Sequence, residues 1–261
     1  MCDHEKTEFE EAIDYIQDIL SDYIAKNKLH ELIELRNKDH IHATLIGMES
    51  EKCQSETGEK IINKNQKDRS KTEGGEPQPY DLGEIVRYFK AVPFPIKIRI
   101  GGINKKIVNP FDLDRPPFKR TFSIRPNGQM VVIGFPVDFQ PLLAGIRTGF
   151  EKVNIVHKYH IKRRGVATPF DNDAFIVVGD VTTEYKYLNK IENDNFCKIL
   201  EEIKLQIRNQ LAKNQYRFQI SQYDCMLFPY KKTTLEEQIM KEVPISKLTP
   251  NNLQKLLIAC L

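Results

Sequence analysis

The stretch that decides the fold is His40-Ile41-His42-Ala43-Thr44-Leu45-Ile46-Gly47. An extended segment points successive side chains to opposite faces. His40, His42 and Thr44 then share one face, and Ile41, Ala43 and Leu45 share the other. An imidazole and a hydroxyl two residues apart on one face can both touch the same phosphate. The rest of the chain must supply a partner for that face.

On the N-terminal side, Phe9, Ile13, Ile16, Leu20 and Tyr23 recur at helical spacing among Glu, Asp and Lys. This predicts an amphipathic helix over 8–36, with a second short helical piece through Leu29, Leu32, Ile33 and Leu35. Thr7-Glu8-Phe9-Glu10 has the spacing of a capping box. On the C-terminal side, 49–80 is rich in Lys, Glu, Gln, Asn, Ser and Gly, and Ile61 and Ile62 are its large apolar residues. Such a composition predicts a mobile insertion, because little surface is available to offset ordering entropy.

Beyond it the elements alternate. A helix is expected over 81–90, ended by Pro93 and Pro95. Ile96-Lys97-Ile98-Arg99-Ile100 alternates as a half-buried strand and is closed by Gly101-Gly102. Strands over 121–125 and 129–135 flank Pro126-Asn127-Gly128, a hairpin signal. Helices are expected over 141–158, 195–213 and 248–260, and strands over 174–181 and 216–228. No linker splits the chain outside the insertion. The expected organisation is an N-terminal helical segment (1–39) packed on one domain (40–235), followed by a C-terminal helical tail (236–261). The fold class is α+β, with antiparallel sheets flanked by helices.

Composition narrows the function classes. The 261 residues are 40% hydrophobic and 29% charged, with a formal net charge of +3. That charge is too small to mark a nucleic-acid binder by itself, so local clusters matter more. No apolar run reaches the roughly 18 residues of a membrane span. The N-terminus is acidic and polar, unlike a secretory signal. The five cysteines form no CxxC pair. They read as free thiols of a cytoplasmic protein, and no metal site or cofactor is expected.

His42-Ala43-Thr44-Leu45 and the order of elements after it resemble the two-histidine (2H) phosphoesterase superfamily, which includes 2′-5′ RNA ligase-like and cyclic phosphodiesterase proteins. Asp81–Phe89 followed by Pro93-Phe94-Pro95-Ile96-Lys97-Ile98 resembles the family's next helix–strand unit. The resemblance covers about 40–230. It implies a bilobal fold in which each lobe gives one His-x-Thr/Ser motif to a central groove. The second motif would lie in 169–179, and its register falls on Phe175, Val177, Val178 and Gly179. Phenylalanine stands for the histidine and valine for the threonine.

The chemistry implied is metal-free hydrolysis or transesterification of RNA or cyclic nucleotide phosphodiesters, with one imidazole as base, another as acid, and hydroxyls holding the phosphate. His42 and Thr44 are the expected catalytic residues, His42 in acid–base work and Thr44 on the phosphate. The basic run from His157 to Arg164 is the expected substrate-binding patch, through His157, Tyr159, His160 and Arg163. His157, Tyr159, His160 or Asp173 could replace the missing second histidine. Otherwise the activity is weakened, or the chain is a catalytically degenerate nucleotide- or RNA-binding or protein-interaction module. Each residue also has a structural reading. His42 can be a strand histidine, Thr44 a β-former, and 157–164 a solvated loop, while Arg99 and Arg125 can line a groove or be ordinary surface residues.

Overall fold

The computed structural model describes residues 7–55, 58–111, 116–158, 171–229 and 240–261. Helix α1 (Glu8–Asn27) starts at the expected capping box: the Thr7 hydroxyl accepts from the Glu10 amide, and the Glu10 carboxylate accepts from the Thr7 amide. It stops earlier than the periodicity predicts. Lys28 takes a left-handed conformation that ends the helix, and the second apolar piece becomes strand β1 (Ile33–Leu35). Four apolar residues in seven satisfy a strand edge as well as a helical stripe, so spacing alone did not separate the two.

Residues 49–80, expected to be a mobile insertion, instead contain the hairpin β2 (Ser50–Ser55) and β3 (Gly58–Asn63) and helix α2 (Lys64–Glu73). The reason is polar anchoring, which composition does not register. Fully buried Asn63 caps α2 by accepting from Gln66 N and also accepts from Val156 N, while Ile62 beside it is 1% exposed. Helix α3 (Leu82–Ala91), capped by Asp81, and strand β4 (Ile96–Gly101) follow as expected. A short helix α4 (Pro117–Arg120) precedes the predicted hairpin of β5 (Phe122–Ile124) and β6 (Gln129–Pro136), whose turn uses Gly128 at φ 89°. Then come α5 (Leu142–Phe150), β7 (Ala174–Val181), α6 (Lys190–Lys213) and β8 (Gln215–Ile220). The chain closes with β9 (Met226–Leu227), β10 (Val243–Pro244) and α7 (Pro250–Ala259).

The fold is mixed α+β, and the pairs β1–β7, β6–β7, β5–β6, β4–β6, β2–β3 and β9–β10 are antiparallel. It divides into two compact units that interleave along the chain. Unit 1 is Met1–Thr44, Lys97–Gln140 and Asp173–Phe218. Its sheet runs β1-β7-β6-β4-β8, with β5 also on β6. One sheet face carries Met130, Val132, Ile176 and Val178, packed against Ile13, Ile16 and Leu20 of α1 and Ile203, Ile207 and Leu211 of α6. The other face carries Val131, Ile133 and Phe135, joined by Phe175 and Val177 and covered by Ile103, Phe118 and Phe139. Both faces of β6 are therefore buried, which its unbroken apolar run requires.

Unit 2 is Leu45–Ile96, Pro141–Asn172 and Gln219–Leu261. Buried Ile85 and Phe89 of α3, Ile146 and Phe150 of α5 and Leu253 and Leu257 of α7 supply its apolar core. Tyr88 and Phe89 both meet the Phe150 ring edge-on at 4.7 Å between centroids.

Candidate functional site

The motif stretch is not a continuous strand. Asn37 caps a single 3-10 turn, Lys38–His40, and Ala43 then makes one antiparallel bridge to Ile176 of β7. From Leu35 to Ala43 the chain advances eight residues while its partner advances three, from Gly179 to Ile176. The motif is thus the continuation of β1 along the β7 edge, resumed after a five-residue excursion that the 3-10 turn absorbs. Ile41 returns to the α1/α6 core, which leaves His42 and Thr44 for the opposite face.

That face is the one carrying Phe175 and Val177. Continued one residue either way, the Ala43–Ile176 register sets Thr44 against Phe175 and His42 against Val177. Where a second histidine is expected, the structure puts the Phe175 ring with the Arg125 guanidinium 5.0 Å above it. Arg125 comes from the end of the β5–β6 hairpin, whose turn it closes by bonding Gln129 and Gly128 through its backbone. A guanidinium donates hydrogen bonds and stays charged, so it can hold an oxyanion but cannot relay a proton.

His42 is half-buried and Thr44 is exposed. The His42 Nδ1 lies 2.9 Å from the His40 carbonyl oxygen. A carbonyl only accepts, so Nδ1 carries the proton, and Nε2 of the neutral ring is the acceptor. His40 is exposed and contributes that carbonyl to the arrangement.

Cations also lie against the rings of this face: Arg99 and Arg125, which the sequence allowed as groove-lining residues, and Arg120 and Lys105, which it did not single out. Arg99 on β4 lies across from Phe135, and its guanidinium carbon is 4.4 Å from the Phe139 ring centroid. Arg120 is ion-paired to Asp173 and lies 5.8 Å from the Phe135 ring, while the Lys105 ammonium is 5.5 Å from the Phe118 ring. Burial lowers the Arg99 pKa below the usual arginine value; Arg217 lowers it further and Asp138 opposes them. The alternation of Ile96–Gly101 and of Gln215–Ile220 was the available signal. Arg99 and Arg217 both fall on positions that alternate with the buried Ile98 and Ile100 and the partly buried Tyr216 and Phe218.

The expected substrate-binding patch fares differently. His157 belongs to unit 2, whereas His42 and Thr44 belong to unit 1. It is 6% exposed, and its Nε2 lies 2.5 Å from the Asp171 carboxylate. The same carboxylate pairs with Arg147, which is 2% exposed and also donates to the carbonyls of Leu45 at 2.8 Å and Asp171 at 3.2 Å. Asn172 adds a bond from the Ala144 amide at 3.1 Å. His157 is therefore part of a buried polar knot. Tyr159, His160 and Arg163 lie outside the described residues. Asp173 is occupied by Arg120.

A separate cleft of unit 1, lined by Ser21, His30, Glu34, Leu35 and Thr182 among others, includes neither His42 nor Thr44. Among the described residues, no group of three or more His, Cys, Asp or Glu side chains is placed to hold a metal ion, and no helix is long and apolar enough to cross a membrane. No family model, curated protein or solved structure matches the chain.

Proposed function

We propose that this chain is a 2H-phosphoesterase-like protein that binds RNA or nucleotide phosphodiesters through a half-site of His42 and Thr44, without two-histidine catalysis. The observation that carries this reading is Arg125 over Phe175, opposite Thr44 across the Ala43–Ile176 bridge. The bridge relates His-x-Thr and Phe-x-Val about their middle residues, Ala43 and Ile176. Both motif stretches fall in unit 1, not one in each lobe as the resemblance implies. Arg125 gives the second position a charge that attracts phosphate, while the Phe175 ring there carries no transferable proton. A cytoplasmic setting accompanies the proposal, and Cys53, Cys197 and Cys225 are free thiols.

The fixed tautomer of His42 favours a second reading, a slow one-histidine phosphodiesterase in which Nε2 acts as base. Absence of one acid–base partner typically lowers the rate by about 10²–10⁴-fold. Titration calorimetry with 2′,3′-cyclic nucleotides and 2′-5′ linked oligonucleotides, run beside a hydrolysis assay, separates the two. The expected result is binding without turnover, weakened about tenfold by His42→Ala and by Arg125→Gln, as for loss of one charge-assisted contact. Turnover abolished by His42→Ala establishes the enzymatic reading instead. No binding of any phosphorylated ligand defeats both.

A further inference from the structure

Strand β1 ends the strand order of the unit 1 sheet, so no described strand lies beyond it. The Thr182 amide donates to the Leu32 carbonyl and the Arg36 amide to the Val178 carbonyl, both at 3.0 Å. Backbone groups of an antiparallel ladder alternate in direction, so Leu32, Glu34 and Arg36 address β7, and Ile33 and Leu35 turn theirs outward. The Ile33 amide is taken by the Leu29 carbonyl at 2.9 Å. The Ile33 carbonyl and the Leu35 amide and carbonyl remain at the open edge. The opposite end of the sheet is closed differently: on β8 the Arg217 amide donates to the Glu8 carboxylate, a charged plug on that edge. Among the described residues no side chain does the same for Leu35.

A cleft of about 400 Å³ is built on this edge. Its apolar lining is Ile24 of α1 with Ile33 and Leu35 of β1, and Ser21, His30 and Thr182 add polar groups. A groove between an open strand edge and the flank of a helix suits an extended peptide that adds a strand. Main-chain bonds hold such a peptide, and alternate side chains select it.

Charge decides which peptide fits. Glu34 lines the cleft and is exposed, with no ion pair among the described residues. The cations that follow it, Arg36 and Lys38, are paired with Asp180 and Asp14. Asp18 and Asp22 on α1 and Glu31 before β1 are also exposed, opposed by Lys26 and Lys28, so the balance of this margin is acidic. A residue directly opposite Glu34 on an added strand shares its face, and the residues on either side of it share the face of Ile33 and Leu35. We propose that the cleft binds an extended segment of another protein, added antiparallel to β1, with lysine or arginine opposite Glu34 and an apolar residue on each side. The cleft includes neither His42 nor Thr44, and the proposal stands apart from their reading as a half-site.

The probe is a pentapeptide blocked at both ends, with lysine at its centre, valine on each side and threonine outermost. It is titrated into the isotope-labelled full chain, and backbone amide chemical shifts are followed. Saturable shifts are expected at Ile33, Glu34, Leu35, Ser21 and Ile24 at millimolar peptide. N-methylation of both valines removes the donors to the Ile33 and Leu35 carbonyls and is expected to weaken binding by about tenfold or more, as for lost hydrogen bonds. Glutamate in place of the central lysine is expected to weaken binding as well, and Glu34→Lys, a change at an exposed position, is expected to reverse that preference. The peptide changes leave the protein untouched, so the test does not depend on the folding of the variant, which circular dichroism checks. An unperturbed spectrum, shifts centred elsewhere, equal affinity for the N-methylated peptide, or a lysine preference retained by folded Glu34→Lys overturns the proposal.

Discussion

At the residue scale the protein turns on where charge is allowed to sit. His42 keeps one ring nitrogen on a backbone carbonyl and one free to accept. Phe175 offers a ring to Arg125 where a proton-transfer group was expected. Tyr80 illustrates the same control away from the site. Its hydroxyl lies 3.3 Å from the carbonyls of Met48 and Glu49, and burial pushes its pKa up from 10.0 to about 12, with hydrogen bonds from Asn63 and Ser50 opposing. A raised folded-state pKa means that the folded form holds its proton more tightly than the unfolded chain does. The contribution is complete below pH 10 and is lost as the pH rises towards 12. Stability measured by urea unfolding is expected to fall across that window, and Tyr80→Phe is expected to reduce the fall. An unchanged slope in the variant would assign the alkaline loss to other groups.

At the element scale, strands are tied to helices by backbone groups as much as by side chains. The clearest case is the close of β4. The Gly102 amide donates to the carbonyls of Leu211 at 2.7 Å and Asn214 at 2.8 Å, satisfying acceptors that the end of α6 leaves open. This requires Gly101 to take φ 77° with no Cβ, since a methyl there would stand 2.2 Å from the Asn214 carbonyl oxygen. Gly101→Ala is expected to destabilise unit 1 by well over 1 kcal/mol, combining the left-handed backbone with a clash against main chain that has no room to give. Chemical denaturation checks it. Gly102→Ala is expected to cost less, because its nearest obstacle is the flexible Gln215 side chain. The Gly-Gly pair was visible in the sequence as a strand terminator, but its role as the C-terminal seat of α6 was not. That role depends on two segments more than a hundred residues apart.

At the scale of the whole molecule, the chain crosses from one compact unit to the other five times, and two crossings flank the motif strands, after Thr44 and before Asp173. In unit 2 the first residues past the former and the last before the latter meet at Arg147, which bonds Leu45 and Asp171, while Asp171 also holds His157. Arg147→Met removes the guanidinium and leaves the Asp171 carboxylate with a reduced set of partners. Breaking a buried pair on one side typically costs about 3–5 kcal/mol. Hydrogen exchange at residues of α5 and at Val156 and His157 is expected to accelerate, together with a lower urea midpoint. Unchanged exchange there would mean the knot contributes little to unit 2.

The sequence by itself determined the local elements. The Thr7 capping box, the Asn127-Gly128 hairpin, the alternating β4 and the apolar β7 follow from short-range sterics and periodicity, which act within a few residues. It also indicated that His42 and Thr44 share a face and that Phe175 and Val177 occupy the corresponding places on β7. Tertiary structure alone decided the rest. It made β1 of an apolar run with helical spacing, because an open edge of β7 lay beside it. It ordered much of 49–80 through Asn63, because one buried amide can fix several backbone groups at once. It also buried His157 in a polar knot and brought Arg99, Arg120 and Arg125 against the rings of one sheet face. Hydrogen-bond partners and neighbouring charges are set by strand order, and strand order is a property of long-range pairing that no local pattern contains.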